Sequence, residues 1–243
     1  MDLEKQIIVL GLKTRLSRLN TTNLKQILLF SILFFVGGIL SSPAHASDSL
    51  PYYNSAEFTP HWLESNSTKL KDFHRIPPFS FTDQDGGEVS EKTFVNKIYV
   101  AGFFFSTCPG ICPFIRTKLN KVQEKFLEDA DVKILQHSIR PSTDKVATLK
   151  KYANDNGIIS GKWHLATGDR ETIYSLAKSA YFASEDLGNI QKTDDFLHTE
   201  SLLLIDQNRH IRGIYNGLNS ASVTYLISDI EALKAEMQTM ENE

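Results

Sequence analysis

The sequence predicts a mixed α/β domain in which helices cover both faces of a central sheet. A continuous apolar run from Tyr99 to Phe105 has the pattern of a strand buried on both faces. Further along, strand-length apolar segments alternate with segments of helical period, which is typical of a three-layer α/β/α arrangement. The chain has 243 residues, 41% hydrophobic and 23% charged, a composition that excludes a disordered or multispanning membrane protein.

Residues 1–46 have the features of an export segment. The uncharged run Ile27 to Leu40 follows Lys25 and precedes SSPAHA, which ends at Ala46. A basic flank, an apolar core and a small-x-small site indicate a secretory signal peptide. The apolar run is short for a bilayer span, so we expect cleavage, with a retained membrane anchor as the alternative. Either way the rest of the chain is expected to be exported, periplasmic or anchored to the membrane facing the periplasm.

Two segments come before the central strand. Residues 47–75 show no clear period, and we expect them to form an extended arm ahead of a domain over residues 76–240. The sequence DQDGG lies between Phe79–Thr82 and Glu88–Ser90, and its Asp-Gly turn chemistry predicts a hairpin.

After the central strand, the pattern predicts a helix on which Phe114, Leu119, Val122 and Phe126 share one face. A Gly at 157 ends the next predicted helix, and Asp169 is expected to cap the one after it. The remaining predicted elements are a strand Val132–Ile139, a helix Ser142–Asn156, a strand Trp163–Thr167, a helix from Asp169 to Ala180, strands Ser201–Asp206 and His210–Tyr215, and a helix Ser220–Met240.

Both cysteines of the chain, Cys108 and Cys112, lie where the central strand passes into the next helix. Residues four apart in a helical turn face the same side, so the two sulfurs can meet or share a ligand. Ser106 and Thr107 supply side chains of the capping type, and a helix N-terminus is expected to lower thiol pKa values. A structural disulfide is the alternative, but closing a five-residue loop contributes only about 2 kcal/mol. We therefore favour a functional pair.

A strand that feeds a helix carrying two cysteines at its N-terminus narrows the prediction to a thioredoxin-like fold. The chain departs from thioredoxins in two respects. Three residues separate Cys108 from Cys112 where thioredoxins have two, and no proline comes just before the strand Ser201–Asp206.

His198, in DDFLHTESLLLID, precedes a strand expected to lie next to the central one. Two thiolates and one imidazole would form a trigonal soft site suited to Cu(I). His137 ends a strand near the same edge but lacks a motif, and we weigh against a role for it. The other histidines are interpreted as solvated or core residues: His45, His61, His74, His164 and His210.

The segments FFFSTCPGICPFIRTKL and DFLHTESLLLIDQNRHIRGIYNG resemble the SCO/SenC family of thioredoxin-like copper proteins. The resemblance covers about residues 70–238. It implies that Cys108, Cys112 and His198 bind one copper ion per monomer, as Cu(I) or Cu(II). It also implies delivery of copper to, or reduction of the cysteines of, the copper A site in cytochrome c oxidase subunit II. Gly110 and Leu197 stand where many members have Asp, which bears on the choice of partner.

Two functional hypotheses follow. In the first, the chain is a copper metallochaperone. In the second, it is a thiol–disulfide oxidoreductase of the cell envelope, in which Cys108 and Cys112 are redox-active, form a disulfide and are restored by a thioredoxin-like reductant. Enzyme activity is thus left open. The N-terminal segment predicts contact with the membrane surface, whereas a formal net charge of −3 gives no sign of a nucleic-acid surface.

Overall fold

The computed structural model describes residues 49–183 and 200–241. The predicted export segment, residues 1–46, lies outside this range. Among the described helices, none combines the length and the apolar composition that a membrane span requires. The elements are the strands β1 (Ser80–Thr82), β2 (Glu88–Ser90), β3 (Ile98–Phe104), β4 (Val132–Ser138), β5 (Trp163–Ala166), β6 (Ser201–Ile205) and β7 (Ile211–Asn216), and the helices α1 (Cys112–Lys125), α2 (Val146–Asp155), α3 (Arg170–Ser179) and α4 (Ser220–Glu241).

The central sheet has five strands in the order β5-β4-β3-β6-β7. β3 lies in the middle, parallel to β4 and antiparallel to β6, and all seven of its residues are buried. This placement explains the unbroken apolar run in the sequence, because a strand covered on both faces has no polar side. The predicted thioredoxin-like α/β fold is confirmed.

Helices cover both faces of the sheet. Phe103 of β3 contacts Tyr181, just after α3, whereas the next residue, Phe104, contacts Tyr152 of α2. Successive side chains of a strand point to opposite faces, so α2 and the end of α3 lie on opposite sides of the sheet. α4 packs against α1 and also contacts β3 and β7.

The predicted hairpin is present as β1 and β2, which pair antiparallel with Phe81 opposite Val89. The Asp83 carboxylate accepts hydrogen bonds from two backbone N–H groups of its own turn, those of Asp85 and Gly87. Gly86 has φ +80°, a left-handed conformation that favours glycine. The Asp-Gly turn chemistry therefore accounts for this hairpin.

The predicted face of α1 is wrong at Phe114, whose exposed fraction is 66%, although Leu119, Val122 and Phe126 are buried as expected. The fourth buried member of this stripe is Ile115, which is 3% exposed. The reason is helical geometry: a step of four residues back from Leu119 leads to Ile115, and Phe114 lies about 100° further round the helix.

The helix predicted from Ser142 begins only at Val146. Before it, the backbone N–H groups of Thr143 and Asp144 both donate to the carbonyl oxygen of Arg140. These bonds form a turn that orients the Asp144 side chain inward, where it is fully buried. The polar sequence before α2 is therefore a structured turn and not a first helical turn.

The described part of the predicted arm lies against the domain. Tyr52 is 2% exposed, and Tyr53 forms an isolated bridge with Ile211 of β7. Arg212, also 2% exposed, donates hydrogen bonds to the carbonyl oxygens of Leu50 and Pro51. This segment therefore shares a buried polar network with the edge of the central sheet.

Candidate metal centre

The two cysteines lie at the edge of the sheet where β3 passes into α1. β3 ends at Phe104, and the backbone N–H of Cys108 donates to the carbonyl oxygen of Phe105 at 3.2 Å. Cys112 is the first residue of α1. A short turn thus takes the chain from a buried strand directly to a helix N-terminus, with one thiol on the turn and the other on the helix.

The predicted capping role of Ser106 and Thr107 is wrong. Ile111 occupies the N-cap position of α1 and makes no side-chain capping hydrogen bond. Because α1 starts at Cys112, Ser106 and Thr107 are too far upstream to reach its free N–H groups. Ser106 instead hydrogen bonds to the Asp144 carboxylate, with its N–H at 3.0 Å and its hydroxyl at 2.5 Å.

Both thiols are free, and the Cys108 side chain lies close enough to Cys112 to raise the pKa of its thiol. Cys108 is half-buried, whereas Cys112 is only 8% exposed and belongs to the hydrophobic core. The predicted meeting of the two sulfurs is therefore seen in the structure. The pair has one sulfur that solvent can reach and one that the protein encloses.

Burial, together with a smaller effect of the adjacent Cys108 side chain, raises the pKa of the Cys112 thiol to about 12. A backbone hydrogen bond at Phe105 favours the thiolate but does not offset the burial. The expectation that the helix N-terminus lowers the thiol pKa is therefore wrong for Cys112, because desolvation of the charged form outweighs the dipole. Ionising this sulfur requires a positive charge close by, and a bound metal cation is one such charge.

Arg116 lies one helical turn after Cys112 and contacts Tyr152 of α2. Its Nη1 donates to the Tyr152 hydroxyl at 3.2 Å, and its guanidinium carbon lies 5.6 Å from the ring centre. Burial raises the pKa of Tyr152, Arg116 lowers it, and Cys112 and Cys108 raise it, so this phenol lies within electrostatic reach of the thiols. The sequence gives no sign of the contact between Arg116 and Tyr152, since the two residues are 36 apart in the chain.

The third predicted ligand, His198, lies outside the described residues. The chain is described again from Glu200, and β6 begins at Ser201. Because β6 runs antiparallel to β3, with Leu203 opposite Ala101, its first residue lies at the edge where β3 ends. Within residues 49–183 and 200–241, no group of three or more metal-binding side chains is present.

His137 lies in the core and not at the thiol pair. Its side chain stacks on Phe103 with ring centres 5.5 Å apart, and it is nearly perpendicular to the Phe81 ring, whose centre is 5.4 Å away. Neither ring nitrogen has a hydrogen-bond partner among the described residues, and complete burial lowers the pKa of His137 to about 3. A neutral histidine among aromatic rings fits the interpretation as a core residue.

The remaining histidines of the described residues make contacts within the fold, which agrees with their interpretation as solvated or core residues. His164 and His210 are buried, and burial lowers both of their pKa values, against the opposing effects of Asp83 and Asp206. His45 lies outside the described residues. The contacts are His61 with Asn54, His74 with the carbonyl oxygen of Ala180, His164 with Asp83, and His210 with the carbonyl oxygen of His74.

Comparison with known proteins places these features in context. The profile of the SCO1/SenC family matches residues 67–234, which include the cysteine loop and the position of His198. A relative in Bacillus subtilis, the SCO1 protein homolog, is 29% identical over 65% of this chain and 82% of its own length.

Solved structures agree with this match. BsSco, described as a member of the Sco family of cytochrome c oxidase assembly proteins with a disulfide switch, is similar with a TM-score of 0.57 and 27% identity. That match covers 66% of this chain and 93% of BsSco. Arabidopsis thaliana ScoI, solved with copper bound, is similar with a TM-score of 0.51 and 27% identity, over 64% of this chain and 97% of that one.

Proposed function

Because the chain belongs to the SCO1/SenC family, we propose that it is a copper metallochaperone whose ligands are Cys108, Cys112 and His198. The ion is its cargo, one per monomer, and its destination is the copper A site of cytochrome c oxidase subunit II. A solved relative with copper bound and another described as an oxidase assembly protein support this proposal.

The observation that carries the proposal is the contact between two free thiols at one helix N-terminus. Thiolates are soft ligands that select Cu(I), and two sulfurs already in contact need little movement to bind one ion. The high pKa of Cys112 is compatible with this role, because a bound cation favours the deprotonated sulfur. An imidazole from His198 would complete a three-coordinate site.

Exposure of the loop supports transfer of the ion to a partner. Pro109 and Gly110, between the two cysteines, are exposed, and Cys108 is half-buried. Incoming thiols of another protein can therefore approach Cys108 first, while Cys112 stays enclosed by the core. A site that stored copper permanently would gain from burying both sulfurs.

The proposed location follows from residues 1–46. A signal peptide or anchor there would place the domain in the periplasm or on the membrane facing it. Export exposes the two thiols to oxidising conditions, where they persist only if they are kept reduced or bind metal.

A second candidate function is thiol–disulfide exchange, favoured by the same contact between free thiols. The Cys108 thiolate would attack a disulfide of the substrate, forming a mixed disulfide and releasing one substrate thiol. Cys112 would then attack Cys108, which forms the Cys108–Cys112 disulfide and releases the second substrate thiol. A thioredoxin-like dithiol would reduce that disulfide again. The raised pKa of Cys112 slows the second step at neutral pH, which favours the carrier function.

Titration of the reduced chain with Cu(I) against a competing chelator tests the carrier proposal. The expected result is one ion per monomer, with sulfur ligands detected by X-ray absorption. A stoichiometry near zero at chelator concentrations that a two-sulfur site should tolerate would refute it.

A further inference from the structure

The carboxylate of Asp144 is buried against the loop that carries the first cysteine. Asp144 is fully buried, and its two oxygens accept three hydrogen bonds. Two come from Ser106, and the third comes from the hydroxyl of Ser138 at 2.6 Å. Such a carboxylate is costly to desolvate, so each of these donors contributes to keeping it in place.

Asp144 connects three parts of the fold. Its own backbone N–H binds the carbonyl oxygen of Arg140 in the turn before α2, at 2.9 Å. Ser138 is the last residue of β4, and its hydroxyl also accepts a hydrogen bond from the Arg140 N–H. Ser106 belongs to the cysteine loop. The carboxylate therefore joins the cysteine loop to a strand and to a turn that are held by backbone hydrogen bonds.

The connection reaches the thiol through a short path. Ser106 is two residues before Cys108, and a backbone hydrogen bond of the same turn joins the Cys108 N–H to the Phe105 carbonyl. Holding Ser106 at both its N–H and its hydroxyl removes rotational freedom from the backbone just before Cys108. Cys112, in contrast, is held independently by α1 and the core.

We propose that Asp144 is a positioning residue for the copper site: by binding Ser106 it fixes the turn that holds Cys108 against Cys112. Asp144 does not need to touch the ion, and its effect passes through the backbone of residues 106–108. The consequence for copper rests on the proposed function, whereas the effect on the loop can be measured without metal.

A purely structural role in the start of α2 is the alternative, and the molecule provides a matched pair of variants to separate the two. Ser106→Ala and Ser138→Ala each remove one hydroxyl donor from the same carboxylate. Only Ser106→Ala removes a bond to the cysteine loop; Ser138→Ala removes the bond to β4 and also the acceptor of the Arg140 N–H. Asp144→Ala removes all three bonds, and if it fails to fold the serine pair still gives the answer.

Amide hydrogen exchange of the reduced, metal-free chain is the first measurement. The informative group is the Cys108 N–H, because its acceptor is Phe105 and not Asp144. Exchange should be about tenfold faster in Ser106→Ala, the effect of losing a hydrogen bond to a charged group, and within about twofold of the unmodified chain in Ser138→Ala. Equal exchange rates in the two serine variants would overturn the proposal.

Cu(I) affinity by chelator competition is the second measurement, with thermal unfolding of each apo variant as the control. Ser106→Ala should weaken Cu(I) affinity by about tenfold, whereas Ser138→Ala should leave it unchanged. Both variants should lose a similar amount of stability. Equal affinities in the two variants would refute the positioning role in copper binding. If the unmodified chain bound no copper, the proposed function would fail, while the exchange result would still decide whether Asp144 fixes the loop.

Discussion

The guanidinium of Arg212 lies 3.9 Å from the centre of the Tyr52 ring. The same group forms two hydrogen bonds of 2.9 Å with the Glu236 carboxylate of α4. Arg212 and Tyr52 are both buried, so the cation–π contact is shielded from water. Such contacts are stronger when they are desolvated. Residues 50–52 are therefore bound to the domain and cannot act as a free linker.

This relationship predicts where the chain can be shortened. A chain beginning at residue 49 should unfold at nearly the same temperature as the full chain, because it keeps the Arg212 network. A chain beginning at residue 54 should lose about 3 kcal/mol or more, since it leaves a buried cation without Tyr52 and two carbonyl acceptors.

Denaturant unfolding of the two truncated chains, with Tyr52→Ala in the longer one, checks this prediction. The alanine variant should account for most of the loss. Equal stability of both truncated chains would show that residues 49–53 contribute little to the fold.

His198→Ala discriminates between the two candidate functions. A copper carrier should lose affinity sharply, because two sulfurs alone leave Cu(I) with a vacant position and cannot hold Cu(II). Thiol–disulfide exchange should be nearly unchanged, since both thiols and the helix that carries Cys112 are kept.

Copper affinity and the rate of reduction of a disulfide substrate should be measured on the same variant, with His61→Ala as the control. His61 is a half-buried histidine whose side chain hydrogen bonds to Asn54 and lies edge-to-face with Phe73. An affinity that does not respond to His198→Ala would remove that residue from the ligand set.

Replacing either cysteine should abolish tight copper binding while the domain stays folded. Cys108→Ser should barely change the unfolding temperature, because the side chain is half-buried. Cys112→Ala should cost somewhat more, about 1–2 kcal/mol, because that sulfur is enclosed by the core. Circular dichroism melts of the metal-free variants test this. Unfolding of Cys108→Ser under reducing conditions would contradict it.

Because His137 is buried in its neutral form, we expect the folded chain to lose stability in acid. Its pKa is lowered to about 3 in the folded chain and is about 6.5 when unfolded, so between these values the unfolded state binds more protons. Stability should therefore be insensitive to this group above pH 6.5. It should fall by about 1.4 kcal/mol per pH unit well below that value, until the folded form is itself protonated near pH 3.

His137→Leu removes this proton uptake while keeping an apolar side chain of similar size among the aromatic rings. The difference in unfolding free energy between variant and parent should shift towards the variant as pH falls from 7 to 4. His164 and His210, whose pKa values are also lowered by burial, remain in both proteins and cancel in the comparison. A difference independent of pH would show that His137 is not a buried neutral group.

Much of the fold could be predicted because its signals lie between neighbouring residues. The run Tyr99–Phe105 identified the central strand, the Asp-Gly turn identified the hairpin, and Asp169 caps α3 by accepting a hydrogen bond from the Thr172 N–H, as predicted. The CPGIC spacing predicted that the two sulfurs lie close together, and the structure brings them near each other with Cys108 on the turn and Cys112 on the helix. These features depend on local backbone geometry, which the sequence of a few residues largely determines.

Other features were decided only by the tertiary structure. The buried stripe of α1 includes Ile115 and not Phe114, because the start of the helix and its packing against the sheet set which side faces inward. The pKa of Cys112 is raised because surrounding segments exclude water from a thiol that the helix N-terminus alone would make more acidic. Ser106 and Asp144 are 38 residues apart in the chain, and no periodicity links them. Burial and long-range hydrogen bonds depend on which segments pack together in the folded chain. The pattern of residues along the sequence does not show these distant contacts directly.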